Sequence, residues 1–396
     1  MSAKKGLRFQ TVCFVIEGLN SFALVIYFTY LYFFMRARFD FHDKANLALA
    51  ALLGFVYIFT AWQAGRFAQR RGYCNALKVG FTIMILSLAV GSQLHSAPGQ
   101  ILAACAVTIG QCFTWPTLEA LVSDGETPAG LPRAVGIYNI IWAVSAAVAF
   151  FLGGTLIETF GFKSIFYLPL AIQLAQLALT FWLQKHADET ARAAGHQPPA
   201  APPPPDPHRP APAKTKAFLR MAWLANPFAY IAINTLIAVL PGIAARFQLT
   251  PMFAGFACSL WCFARLGAFL ALWLWPGWHY RFRWLVTAFG LLIVSFAAIL
   301  TAPNLAVLIA AQIFFGGAIG LIYYSSLFYS MDAGEAKGEH GGIHEAAIGC
   351  GNCLGPAVGA ASLQFFPQYA HNGVMAVSGL LLCGLGALLV IWKTAR

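Results

Sequence analysis

Charge is scarce in this sequence. Asp, Glu, Lys and Arg make up 10% of the 396 residues, with 14 acids against 25 bases, while hydrophobic residues reach 59%. An average soluble domain is about 25% charged and 45–50% apolar, so this chain cannot clothe a water-soluble globule. The phosphate-cradling pattern G-x-x-x-x-G-K-[ST] is missing throughout, which leaves no sequence basis for nucleotide hydrolysis. The nine cysteines follow no disulfide framework: all but Cys74 fall inside apolar runs, where a thiol serves as a small packing group. No small-residue cleavage site follows the first apolar run, which reads as a retained span rather than a signal peptide.

What is abundant is apolar length. Twelve runs with almost no charge occupy residues 11–34, 45–64, 75–94, 100–122, 134–157, 164–184, 221–244, 252–275, 282–301, 304–330, 343–366 and 372–392. Each is near the roughly 20 residues that a helix needs to cross ~30 Å of hydrocarbon. The runs are continuously apolar rather than alternating, so they are helices, which satisfy their own backbone hydrogen bonds in lipid, and not barrel strands. The expectation is an all-α polytopic membrane protein of twelve transmembrane helices, arranged six plus six.

The net charge of +11 does not point to nucleic acid once its distribution is read. With the amino terminus cytoplasmic, 19 Lys and Arg face inside: Lys4, Lys5, Arg8, Arg66, Arg70, Arg71, Lys78, Arg133, six in the central loop, Arg281, Arg283, Lys337, Lys393 and Arg396. Five face outside, Arg36, Arg38, Lys44, Lys163 and Arg246, and Arg265 lies within a helix. That asymmetry follows the positive-inside rule and predicts both termini on the cytoplasmic side; the membrane is expected to be a bacterial inner membrane.

Between the sixth and seventh runs comes "HQPPAAPPPPDPHRPAPAKTK", residues 196–216. A Pro-rich tract cannot build a packed core and reads as an extended cytoplasmic tether. The chain therefore divides into a six-helix half (1–184), a linker (185–220) and a second six-helix half (221–396). The halves are related. Aligning "GIYNIIWAVSAAVAFFLGG" (136–154) with "GIHEAAIGCGNCLGPAVGA" (342–360) pairs Gly136 with Gly342, Ser145 with Gly351, Ala149 with Gly355 and Gly153 with Gly359, without a gap. A weaker echo joins "LVSDG" (121–125) to "YSMDAG" (329–334). Such self-similarity marks an internal duplication.

In the eleventh run, Gly351, Gly355 and Gly359 recur every four residues along one helix face, an arrangement that lets a second helix approach closely. Pro356 adds a weak point. Cys350 and Cys353 have the C-x-x-C spacing of dithiol redox centres but sit in an apolar helix with no strand nearby, so they read as packing residues. Here the chain resembles the major facilitator superfamily of secondary transporters: Gly342, Gly351, Gly355-Pro356 and Gly359 reproduce its antiporter-type glycine motif, with Ala360 for the last Gly. The motif belongs in the fifth helix of that family, where this chain carries Phe150 in place of the Pro. The loop "GRFAQRRGYCNALKVG" (65–80) is similar to the family's loop between helices 2 and 3. Gly65, Arg70 and Gly72 match, Gln69 stands for the Asp, and Tyr73 and Cys74 replace the basic pair. The resemblance implies that this loop latches the halves on the cytoplasmic side. A neutral Gln69 interacts more weakly with a helix dipole than an Asp does, which implies a softer latch.

The resemblance also implies a central substrate cavity lined by helices 1, 4, 7 and 10, with 5, 8 and 11 contributing. Polar candidates there are Glu17, Asn20, Ser21 and Tyr27; Gln111, Trp115 and Glu119; Asn226, Tyr230 and Asn234; and Gln312 and Tyr323. Any neutral member can equally be interhelical hydrogen-bond glue. Glu17 and Arg265 are harder to dismiss, because a central charge costs about 2.5–3.5 kcal/mol on insertion scales. Glu17 is the candidate for proton coupling, since a carboxyl gains or loses its proton as its surroundings change; a fixed ion pair between the two is the alternative. His340, His344 and Glu345 open the eleventh helix without a third or fourth ligand in evidence, so no metal and no cofactor is expected. His344 and Glu345 align with Tyr138 and Asn139 and are read as flanking a cytoplasmic gate. The expected function is alternating-access transport of a small organic solute, with a proton as candidate coupling ion, by a monomer in the lipid bilayer. A membrane-embedded lipid-modifying enzyme and a passive channel are the rival readings.

Overall fold

A computed structural model describes residues 7–123, 130–194, 212–332, 339–369 and 371–395. Among them there is no strand, and twelve helices are long and apolar enough to cross a membrane. They are α1 (Phe9–Phe39), α2 (Asp43–Arg71), α3 (Tyr73–Gly91), α4 (Ala97–Ser123), α5 (Arg133–Phe160), α6 (Ser164–His186), α7 (Lys214–Arg246), α8 (Pro251–Leu274), α9 (Phe282–Thr301), α10 (Leu305–Ser330), α11 (Glu345–Phe365) and α12 (Asn372–Thr394). The helix of α6 runs on to Ala194 and that of α7 begins at Pro212. Most of the Pro-rich tract, and Lys4, Lys5, Arg209, Lys337 and Arg396 of the charge count, lie outside the described residues.

Two spans are broken where the sequence reads as continuous. In α4 the helix stops at Cys112 and restarts at Trp115. Pro116 explains this: it has no N–H to donate, and its ring collides with the carbonyl four residues back. Thr114 repairs the gap by donating its hydroxyl to Gln111 O at 2.8 Å. In α8 the break falls at Ser259. The turn between α2 and α3 is the single residue Gly72, whose φ of 89° favours glycine because a Cβ crowds the left-handed region.

Within lipid, helices gain little from apolar burial against one another, and close packing over small residues takes over. The two halves meet along two seams, α2 on α11 and α5 on α8. These are the same contact seen twice if α2 corresponds to α8 and α5 to α11, as the duplication requires. Gly54 of α2 lies against the backbone of Asn352 and Cys353, and Gly154 of α5 against that of Pro251. The glycine face of α11 packs mainly inside its own half: Gly351 meets Pro227 and Tyr230 of α7, and Gly355 meets Ile231 and Thr235, whereas Gly359 meets Leu47 of α2 across the seam.

At the end carrying the α1–α2, α5–α6, α7–α8 and α11–α12 connections, polar contacts tie the halves together. Lys44 donates to Gln364 Oε1 at 3.0 Å, and Glu158 Oε1 accepts from Met252 N at 2.9 Å. Arg36 and Asp43 form an ion pair of 3.5 Å at the same end. At the opposite end, Gln69 and Arg70 are exposed. Residues 333–338, which precede the α11 helix they were expected to face, lie outside the described residues.

Candidate functional site

Between the halves lies a cavity of about 160 Å³, bounded by α1, α2, α4, α5, α7, α8 and α11. Its walls are largely aromatic: Phe28 and Tyr32, Tyr57, Trp115, Trp142 and Phe150, Tyr230, and Trp261. Arg265 is the one charged side chain among the described residues lining it. Five of the sequence candidates converge here: Gln111, Trp115, Tyr230, Asn234 and Arg265. Asn234 is oriented by donating to Asn352 Oδ1 of α11 at 2.6 Å and to Tyr230 O at 3.2 Å.

Arg265 is 4% exposed. Its guanidinium carbon sits 4.2 Å from the ring centroid of Trp142 on the other half and 5.1 Å from that of Trp261, one turn back on α8. Trp142 in turn stacks on Tyr323 of α10, centroids 5.2 Å apart. The expected alternative of an ion pair with Glu17 is not formed: the ion pairs among the described residues are Arg36–Asp43 and His42–Asp40.

Glu17 and Asn20 do not line the cavity. They share a helical stripe with Leu24 and Phe28, which do line it, but Glu17 lies seven residues earlier, roughly 10 Å along the axis at 1.5 Å per residue. Both are fully buried. Ser21 donates to Glu17 Oε1 at 2.6 Å, and Asn20 donates to Thr114 Oγ1 at 3.2 Å, beside the break in α4. Glu17 Oε2 has no hydrogen bond; its electrostatic neighbours are Tyr138 of α5, Glu119 of α4 and Glu345 of α11. Glu345 accepts from the hydroxyl of Tyr57 at 2.5 Å, a bond that crosses from one half to the other. A second, acidic layer thus lies toward the end that holds both termini, built from α1, α4, α5 and α11. The side chains of His340 and His344 lie outside the described residues.

The remaining candidates are placed as follows. Asn226 is buried one turn before Tyr230, and neither amide atom is hydrogen-bonded. Asn139 donates to Val135 O of its own helix at 2.8 Å. Gln312 donates to Ala257 O at 2.7 Å and so pins α10 to α8, away from the cavity. Tyr138 and Tyr323 belong to the acidic layer and its edge. Sequence reasoning missed Tyr57, Trp142, Trp261 and Asn352. With aromatics at 15% of the chain, no single ring stands out. Trp261 alone had a signal, its position one helical turn before a buried Arg.

Two equivalent six-helix halves, touching along two seams around one central cavity, define a membrane protein of the secondary-transporter class. The sequence matches the Major Facilitator Superfamily over residues 11–356, and the chain belongs to that superfamily, whose members are transporters rather than enzymes. Among solved structures it is similar to the human organic anion transporter MFSD10 (TETRAN), with 16% identity, 96% of this chain and 99% of that one covered, and a TM-score of 0.66. A bacterial homolog of the human lysosomal transporter Spinster, in an inward-facing and unoccupied conformation, shares 13% identity over 100% of this chain and 96% of its own, with a TM-score of 0.63. A structure of proton-dependent oligopeptide transporters shares 16% identity over 98% of each chain, with a TM-score of 0.68. At these identities the likeness is one of fold. No curated protein sequence matches.

Proposed function

We propose that this protein is a proton-coupled transporter of a small organic solute. It works as a monomer in a bacterial inner membrane, with both termini cytoplasmic. Residues 1–184 and 221–396 rock against each other, and the linker 185–220 tethers them. The observation that carries this reading is the stacking of two sites along one axis between the halves: an aromatic-walled cavity and, beneath it, an acidic layer whose members come from both halves. A rocking motion that opens the seams toward one side and then the other changes the surroundings of both sites together, which is what coupling requires.

The test is counterflow. Proteoliposomes preloaded with unlabelled solute should take up labelled solute faster than empty ones, and an imposed pH gradient should drive its net accumulation. Equal uptake with and without preloading would indicate a channel and overturn the proposal. Orientation is checked separately. Reporter fusions within 196–211 and after Arg396 should be active only with a cytoplasmic-type reporter, as the 19-to-5 distribution of basic residues requires; a periplasmic signal at either place would refute the topology.

A further inference from the structure

We infer that the central cavity takes a single-ring organic monoanion, with its carboxylate bound by Arg265. The inference names a substrate class for the transport site proposed above and rests on that reading. Arg265 is buried at mid-bundle with no ion pair or hydrogen bond among the described residues, and its Nε has no acceptor. The rings of Trp142 and Trp261 lie against the guanidinium but accept no hydrogen bond from its N–H groups. A guanidinium buried in a membrane without an ion pair calls for an anion to accept from it.

The head group of the ligand follows from that one cation: a carboxylate brings two acceptor oxygens and no donor of its own. No carboxylate lines the cavity among the described residues, so a cationic solute would find ring faces but no counter-ion, and Arg265 would repel it. Size sets the body of the ligand. A cavity of about 160 Å³ is close to the roughly 150 Å³ that encloses one benzene ring. One guanidinium matches one carboxylate.

The test uses the full-length chain in nanodiscs and two isosteric series: benzoate, benzamide and benzylamine, and phenylacetate, phenylacetamide and phenethylamine. Binding is read by tryptophan fluorescence and by melting temperature. In at least one series the acid should bind about tenfold or more tightly than its amide, the value of one charge-assisted hydrogen bond over a neutral one, and the amine should not bind. Arg265→Gln should erase that preference. Arg265→Lys should keep it with weaker binding, because Lys offers the charge without the stacked, forked geometry. Should Arg265→Gln fail to fold, the wild-type ratio and the Lys variant decide. An amide that binds as well as its acid, acid preference surviving in Arg265→Gln, or no acid-dependent response in either series would overturn the inference. Counterflow of a neutral or cationic solute that is indifferent to Arg265→Gln would sink the anion and leave the transporter. Acid binding without counterflow of any solute would do the reverse.

Discussion

Gly355→Leu should abolish both transport and the recovery of monodisperse protein. A Cβ added at Gly355 would lie 2.5 Å from Ile231 O and 2.7 Å from Thr235 Oγ1. The carbonyl belongs to the backbone of α7 and cannot swing away, and leucine adds three carbons beyond the Cβ. Overpacking a well-packed interior costs about 1–3 kcal/mol where side chains can shift, and here a helix axis has to move. The same turn of α11 also supports the seam, since Gly54 of α2 rests on Asn352 and Cys353, so displacing α11 from α7 disturbs the contact between the halves. Cys350→Ala with Cys353→Ala should by contrast be nearly silent. Both thiols are free and half-buried. Size-exclusion profiles, melting temperatures and counterflow of the two variants measure the difference. Loss of activity in the cysteine variant together with its retention in Gly355→Leu would return the C-x-x-C spacing to redox chemistry.

Glu17→Gln should uncouple solute movement from the proton gradient while sparing exchange. The carboxyl accepts from Ser21, has Tyr138 as a second hydroxyl neighbour, and has no cationic partner among the described residues, so glutamine can keep the accepted bond, the size and the shape. Because Arg265 is stacked between Trp142 and Trp261 rather than paired with Glu17, the substitution strands no buried cation, and the melting temperature should stay near wild type. The energetics set the scale. One proton crossing a gradient of one pH unit carries about 1.4 kcal/mol, enough for about tenfold accumulation of a solute moved one-to-one with it. In Glu17→Gln that accumulation ratio should fall to about one, with counterflow rates retained. Vesicle uptake with and without an imposed pH gradient, beside the melting temperature, reads both quantities. Wild-type accumulation in this variant would remove Glu17 from the mechanism and move attention to Glu119 and Glu345, its neighbours in the acidic layer.

The family, the twelve spans and the duplication were legible before any coordinates, because each rests on a property that composition carries directly. Lipid demands about twenty apolar residues per helix, and a duplicated helix keeps its small residues in register. The polar stripes were legible as directions: Glu17, Asn20, Leu24 and Phe28 share a face of α1, and Asn226, Tyr230 and Asn234 share one of α7. What a stripe cannot say is how far along the axis the opposite half stands away. That distance separates Leu24 and Phe28 at the cavity from Glu17 two turns below, and Tyr230 from Asn226 one turn below.

The fourth run reads as one span over 100–122, so the break at Pro116 emerged with the structure, and its use in turning Trp115 toward the cavity and Thr114 toward Asn20 depends on where α1 lies. Arg265 was conspicuous as a charge in an apolar run. Its partners were not, since Trp142 is more than a hundred positions away on the other half and one of 11 tryptophans. The sequence by itself determined the number of helices, the kinship of the fifth with the eleventh and the polar stripes of the first and seventh, because these follow from hydrophobicity, residue matching and helical period. Only the tertiary structure decided that Arg265 stacks on two rings and not on a carboxylate, and that Tyr57 bonds Glu345 across the seam. Those contacts depend on the relative height and rotation of helices from different halves, which are set by the packing of small residues at the seams and not by the period of any one helix.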